Sequence, residues 1–290
     1  MAAVSPKLQT NWDWRAAANF ILGGAGTGLF ATTVIAGLFE PVHWWAAFLA
    51  LAMVGTGLFC VWLEIGRPWR FLNVLRNPGT SWMTREAMAA APFFGFGALY
   101  LLWPGWMAGV PAAVSGLAFV YCQARILRAA KGIPAWRQPG IATLVVITGL
   151  TEGVALFGVM AVLMGFEFME LAIVGSGLMV LIALRALAWQ TYRGALGTAG
   201  APVGALNALD QGRANLSARV QAVVLGVAII GLFNPPVLAL AGVLVVVTGW
   251  GFKHTLITRA AFNQGYAITR MPARGAGVSA PGIKPGWATE

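Results

Sequence analysis

Charge is scarce in this chain, and so are the residues that hold metals. Asp, Glu, Lys and Arg make up 10% of its 290 residues, against about 25% in a typical soluble domain. Cys60 and Cys122 are the only cysteines and form no CxxC, which argues against a thiolate metal site or an iron–sulfur cluster in this chain. Both fall in apolar segments and read as small buried hydrophobes. His43 and His254 are the only histidines. A membrane b-type haem wants two axial ligands at similar depth on facing helices. In the topology below these two lie at opposite faces, so no haem is expected. The residues before Ala16 hold neither a signal-peptide core nor a twin arginine, so the first hydrophobic segment is expected to stay as a span.

What the chain has is hydrophobic length. Apolar residues make up 59%, and the mean hydropathy is +0.75. A helix needs about 20 apolar residues to cross a bilayer, and segments of that kind recur along the chain. The expected fold is an all-α polytopic membrane protein of eight transmembrane helices in two four-helix bundles. The spans are read as 17–39, 44–65, 88–103, 110–127, 141–165, 169–192, 218–233 and 236–254. Residues 1–16 form an N-terminal segment, 64–87 a long loop and 255–290 a tail rich in Gly, Pro and Ala. The third span carries Pro92 in its first turns.

The formal charge of +10 comes from 19 basic and 9 acidic residues. It is a matter of placement rather than of nucleic-acid binding. Lys and Arg fall on or near one side, in the N-terminus, 64–87, 128–139, 193–219 and the tail. The short connections at 40–43, 104–109, 165–170 and 234–235 hold Glu40, Glu167 and Glu170 and no Lys or Arg. The positive-inside rule puts the basic side, with both termini, in the cytoplasm. Tryptophans near both boundaries fit headgroup anchors. The run 23-GGAGTG-28 lacks the strand and the Lys-Ser/Thr of a phosphate loop; with Gly149 and Gly153 it reads as close helix packing.

Ionisable residues inside a membrane are functional candidates by default. Glu152 and Arg185 lie deep, in the fifth and sixth spans. They read either as a structural ion pair or as part of a proton route. A second group gathers at the loop-side ends of spans one, two and four: Trp14, Arg15, Asn19, Glu64, Arg67, Tyr121, Gln123 and Arg125. Asn19 and Tyr121 sit within apolar runs, where anchoring at the interface explains them poorly. An apolar cleft with a few converging polar groups suits a lipid-soluble ligand.

The loop 63-LEIGRPWRF-71, followed by 78-PGTSWM-83, resembles the loop after the second span in the membrane-anchor subunits of polysulfide reductase, dimethyl sulfoxide reductase and their NrfD-like relatives. The stretch 12-WDWRAAANF-20 looks like the anchor branch of phenylacetyl-CoA:acceptor oxidoreductase. The resemblance implies a division of labour. A molybdopterin or tungstopterin subunit carries out the substrate chemistry, and a ferredoxin-like iron–sulfur subunit passes electrons. The anchor sits in the bacterial inner membrane and exchanges those electrons with menaquinone or ubiquinone.

Carried over residue by residue, the resemblance places Asn19 and Tyr121 at the quinone and Glu64 next to the loop. Where many relatives have a His on the first span, this chain has Gly23 or Gly24. The expectation is a quinone site of Trp14, Arg15, Asn19, Glu64, Arg67 and Tyr121, with Glu64, Glu152 and Arg185 as proton-path candidates. Arg70, Arg76, Trp82 and Arg85 are expected to face the iron–sulfur partner. The rival readings are a secondary transporter, poorly supplied with midplane polar groups, and a structural anchor with no quinone site.

Overall fold

In a computed structural model every regular element among the described residues is a helix, and one isolated bridge joins Leu8 to Phe262. The structure describes residues 5–38, 43–65, 68–211 and 216–265, without the side chains of Pro68 and Arg70. Arg67, the Arg70 side chain, Glu40 and positions 266–290 of the expected tail lie outside the described residues.

In chain order the elements are α1 (Trp14–Ala36), α2 (Trp44–Glu64), the 3-10 helix η1 (Pro68–Arg76), α3 (Trp82–Leu102), α4 (Trp106–Ala129), α5 (Pro134–Arg137), α6 (Gly140–Leu163), α7 (Phe168–Thr198), α8 (Val203–Gln211), α9 (Ala218–Gly231) and α10 (Pro235–Thr258). Six of these, α1, α2, α4, α6, α7 and α10, are long and apolar enough to cross a membrane. The expected count of eight is not reached on that measure, for two different reasons. α9 has 14 residues, roughly 21 Å of helix, which is short of a hydrocarbon core of ~30 Å. α3 has 21 residues, but its first turns carry Thr84, Arg85 and Glu86.

α3 also begins earlier than expected, at Trp82 rather than Met88. Ser81 caps it, its hydroxyl accepting from the Thr84 N–H at 3.3 Å. Arg85 fixes the turn before it by donating to the carbonyls of Pro78 and Gly79 at 2.9 and 2.7 Å. The Thr84 hydroxyl donates to the Val74 carbonyl in η1. Two consequences follow. Pro92 lies in the middle of α3 rather than in its first turns, and Glu86 leaves the loop for the bundle interior.

α1 is the hub. It packs against α2, α4, α6 and α10. Apolar side chains gain little by leaving lipid for one another, so close backbone approach has to hold such helices together. The glycines allow that approach. A Cβ on Gly28 would strike the Gly149 carbonyl oxygen, and one on Gly153 would strike the backbone of Gly28.

At the end that carries η1, the segments 7–9 and 261–263 are fastened together. The Gln9 N–H donates to the Ala261 carbonyl and the Asn263 N–H to the Lys7 carbonyl, at 3.0 and 2.9 Å. The start of the expected tail is thus ordered on the bundle.

Candidate functional site

Asp13 caps α1, its carboxylate accepting from the Arg15 N–H at 2.8 Å. The Arg15 guanidinium closes on the same carboxylate at 2.9 Å and holds it below the usual carboxylate range. Arg15 also donates to the Leu63 carbonyl at 3.1 Å. That is one of the carbonyls left free in the last turn of α2. The start of α1 is thereby clipped to the end of α2.

One turn deeper, a cleft of about 280 Å³ opens between the N-terminal segment and α1 to α4. Its walls are mainly apolar, from Trp12, Phe20, Val61 and Ile126, and its polar groups are Asn11, Asn19, Glu64 and Glu86. Trp12 is held in place by stacking on Trp136, with ring centroids 4.9 Å apart. Trp136 in turn donates its indole N–H to the Leu256 carbonyl at 2.9 Å.

The polar groups have more acceptors than donors. Asn19 Nδ2 donates to Glu86 Oε1 at 3.2 Å, and Gln123 Nε2 donates to the Asn19 carbonyl at 3.1 Å. Both amides have then spent a donor within the protein. Asn19 Oδ1, Gln123 Oε1 and Glu64 Oε1 are buried and have no partner. Buried polar atoms are normally satisfied, and a group left over asks for a ligand or water. Glycines make the room: a Cβ on Gly23 would lie 2.7 Å from Gln123 Nε2, and one on Gly57 would lie 3.2 Å from the Asn19 Cα.

The structure brings together only part of the expected site. Asn19 and Glu64 line the cleft. Tyr121 does not: it is 44% exposed, accepts a hydrogen bond from Arg125 at 2.7 Å and lies edge-on to Trp82. Residues two apart on a helix point roughly 200° apart, so with Gln123 turned to α1, Tyr121 faces outward. Trp14 is also exposed, and Arg15 is spent on Asp13 and Leu63. Of the expected partner-facing group, Arg76 is exposed, whereas Trp82 is sandwiched between Arg85 and Arg125, each 4.2 Å from its ring centre.

Glu86 is the residue that the sequence reading missed, because it was assigned to the loop. It is 7% exposed. The signal was there: Glu86, Ala90, Phe93, Gly97 and Tyr100 form the buried stripe of α3 at helical spacing.

The second expected group is also rearranged. Glu152 does not pair with Arg185. Its Oε2 meets Lys253 Nζ at 2.5 Å, both side chains fully buried. Arg185 donates instead to Gln221 Oε1 at 3.0 and 3.1 Å and to the Val245 carbonyl at 3.2 Å. Lys253 was not singled out from the sequence, although it follows the buried stripe of α10 through Val245, Gly249 and Phe252. Among the described residues no group of three or more His, Cys, Asp or Glu is placed to hold a metal ion. A larger hollow of about 430 Å³ between α3 and α4, at the end away from η1, is lined by Trp103, Trp106 and other uncharged residues.

Residues 20–233 match the family model described as DMSO reductase anchor subunit (DmsC). The chain belongs to this family. It is a membrane-integral anchor subunit of the DmsC type, as its apolar helices require. No curated protein matches the chain. The family match covers α2 to α9 whole and most of α1, so it includes Asn19's neighbours, Glu64, Glu86 and Gln123 but ends short of Lys253.

Proposed function

We propose that this DmsC-type subunit is the quinone-reactive anchor of a molybdenum or tungsten oxidoreductase complex in the bacterial inner membrane. The observation that carries the reading is the apolar cleft whose buried acceptors, Asn19 Oδ1 and Glu64 Oε1, have no partner beside the buried Glu86 carboxylate. A quinone head group fits such a cleft in its reduced form: it is flat and apolar, and its two hydroxyls can donate to these unpartnered acceptors. When bound, it supplies two-electron, two-proton chemistry.

The chain's own residues divide the remaining work. Trp12, Phe20, Val61 and Ile126 exclude water from the head group. Asn19 orients it and also holds the Glu86 carboxylate through Nδ2. Glu86 takes up or returns a proton at its carboxylate oxygens, and Glu64, at the cleft wall next to the loop, is the next acceptor outward. Arg15 keeps the wall closed through Leu63.

In this reading eight spans form two four-helix bundles, α1 to α4 and α6, α7, α9 and α10, joined along α1 and α6. Both termini and η1 face the cytoplasm. The η1 surface, with Trp69 86% exposed near its start and Arg76 exposed at its end, takes the iron–sulfur subunit. That subunit in turn carries the molybdopterin or tungstopterin subunit.

The test is binding. A fluorescent quinone analogue titrated into the purified chain should be quenched at a stoichiometry of one. Asn19→Leu should weaken it about three- to tenfold, the equivalent of one hydrogen bond. Equal affinity in Asn19→Leu and Glu86→Leu would remove the cleft from the reading.

A further inference from the structure

Outside the cleft, the chain buries three charges where a structural ion pair needs two. Glu152 on α6, Arg185 on α7 and Lys253 on α10 are each 1% exposed or less. Two cations therefore stand against one carboxylate, within helices long enough to cross a membrane.

The arrangement departs from a closed structural triad. In a closed triad each cation would take one carboxylate oxygen, because an uncompensated buried charge is costly. Here Lys253 holds Oε2 while Oε1 has no partner. Arg185 lies within electrostatic reach of Glu152 but gives its hydrogen bonds to Gln221, Thr248 and the Val245 carbonyl. One neutral set of charges exists: a carboxylate, a guanidinium and an uncharged amine. An arginine stays protonated in proteins, whereas a buried lysine readily gives up its proton. The proton in excess therefore belongs to Lys253.

Two glycines clear the space around the pair. A Cβ on Gly249 would collide with Glu152 Oε1, and a Cβ on Gly24 would lie 2.6 Å from Lys253 Nζ. The groups facing Lys253 are few. α6 brings Glu152, α7 brings Arg185 and α1 brings Gly24, while the neutral Gln221 of α9 is taken by Arg185. On α10, His254 turns to Thr258, and on α8, Asp210 is held by Arg193. Glu152 and Arg185 are the charges that bear on Lys253.

We propose that Lys253 is a proton-exchanging site inside the membrane domain, separate from the cleft and on the other side of α1. On discharge the Lys253 ammonium gives one proton to solvent water and remains as a neutral amine. The Arg185 guanidinium then becomes the counter-charge of Glu152. On recharging, the proton returns to Nζ and Glu152 again meets an ammonium. The cluster thus has two charge states that differ by one proton, and neither needs a ligand.

The inference rests on the membrane reading and not on the quinone, so its test uses the purified full chain with no quinone added. Infrared difference spectra are recorded as a function of pH. The wild type should show a single one-proton step that perturbs a buried carboxylate band, and Glu152→Gln should lose that band. Lys253→Arg keeps the positive charge but cannot discharge, and should abolish the step. Lys253→Met should abolish it too; if that chain does not fold, Lys253→Arg carries the test alone. A wild type without the step, or a step that persists in Lys253→Arg, overturns the proposal. Quinone-analogue binding measured on the same samples reports on the cleft separately.

Discussion

Gly23 and Gln123 divide one space between them: a Cβ on residue 23 would stand 2.7 Å from Nε2 of Gln123 and 2.9 Å from the Phe119 ring. The resemblance to the NrfD-like anchors drew attention to this position, because many relatives carry a histidine on the first span. Here the missing side chain at position 23 is what lets α4 bring an amide against α1. The hydrogen bond from Gln123 to the Asn19 carbonyl depends on it.

Gly23→Ala should therefore push Gln123 away from Asn19. Overfilling a packed interior costs about 1–3 kcal/mol, and losing the hydrogen bond weakens a ligand in the cleft about three- to tenfold. Thermal unfolding in detergent and quinone-analogue titration measure the two effects. Unchanged affinity in a folded Gly23→Ala chain would separate Gln123 from the cleft.

The outward face of Tyr121 separates it from Asn19 in function. Tyr121→Phe removes only an exposed hydrogen bond to Arg125. Quinone-linked turnover of the assembled complex should change by less than about twofold, since exposed contacts of this kind contribute little. Glu86→Gln should slow the same turnover while dye-linked activity, which draws electrons upstream, is kept. A large loss in Tyr121→Phe with none in Glu86→Gln would move the site to the outer face of α4.

The Glu152–Lys253 pair makes a stability prediction of its own. Removing one member leaves an uncompensated buried charge, which costs about 3–5 kcal/mol. Glu152→Leu should accordingly lower the yield of folded chain. Glu152→Leu combined with Lys253→Met should recover only part of it, because the buried Arg185 is still left without its counter-charge. A double variant folded as well as the wild type would mean that Arg185 does not depend on Glu152.

Orientation is checked with reporters. Alkaline phosphatase fused at Asn77 or after Glu290 should be inactive, and a fluorescent protein at the same positions should fold, because the proposed topology puts the basic connections on the cytoplasmic side. Phosphatase activity at either position would invert the reading, together with the side on which a partner docks on η1.

The sequence displayed its helices plainly and its contacts poorly. Apolar runs mark α1, α2, α4, α6, α7 and α10, because a chain in lipid must satisfy its backbone within each segment. Asn19 and Glu64 could be singled out because a polar side chain in or at the end of such a run needs a reason. Glu86 escaped because the start of α3 was read from hydropathy, whereas its cap is Ser81, seven residues ahead of the expected start at Met88. Tyr121 was placed by membrane depth, but the face of a helix is set by which neighbours it packs against. The same gap hid Lys253: spacing along one helix gives a residue's depth and its stripe, but its partner on another helix depends on how the bundle closes.

The central place of α1 bears on how the protein is made. α1 is synthesised well before α6 and α10, and Gly149 and Lys253 follow Gly24 by 125 and 229 residues. At about 5–20 residues per second, the α6 and α10 surfaces reach the membrane roughly 6 to 45 seconds later. During that interval the glycine face of α1 has no α6 or α10 to meet. A helix with so much bare backbone is a natural client for an insertase or for neighbouring lipid headgroups until the ribosome has delivered the second half of its own binding site.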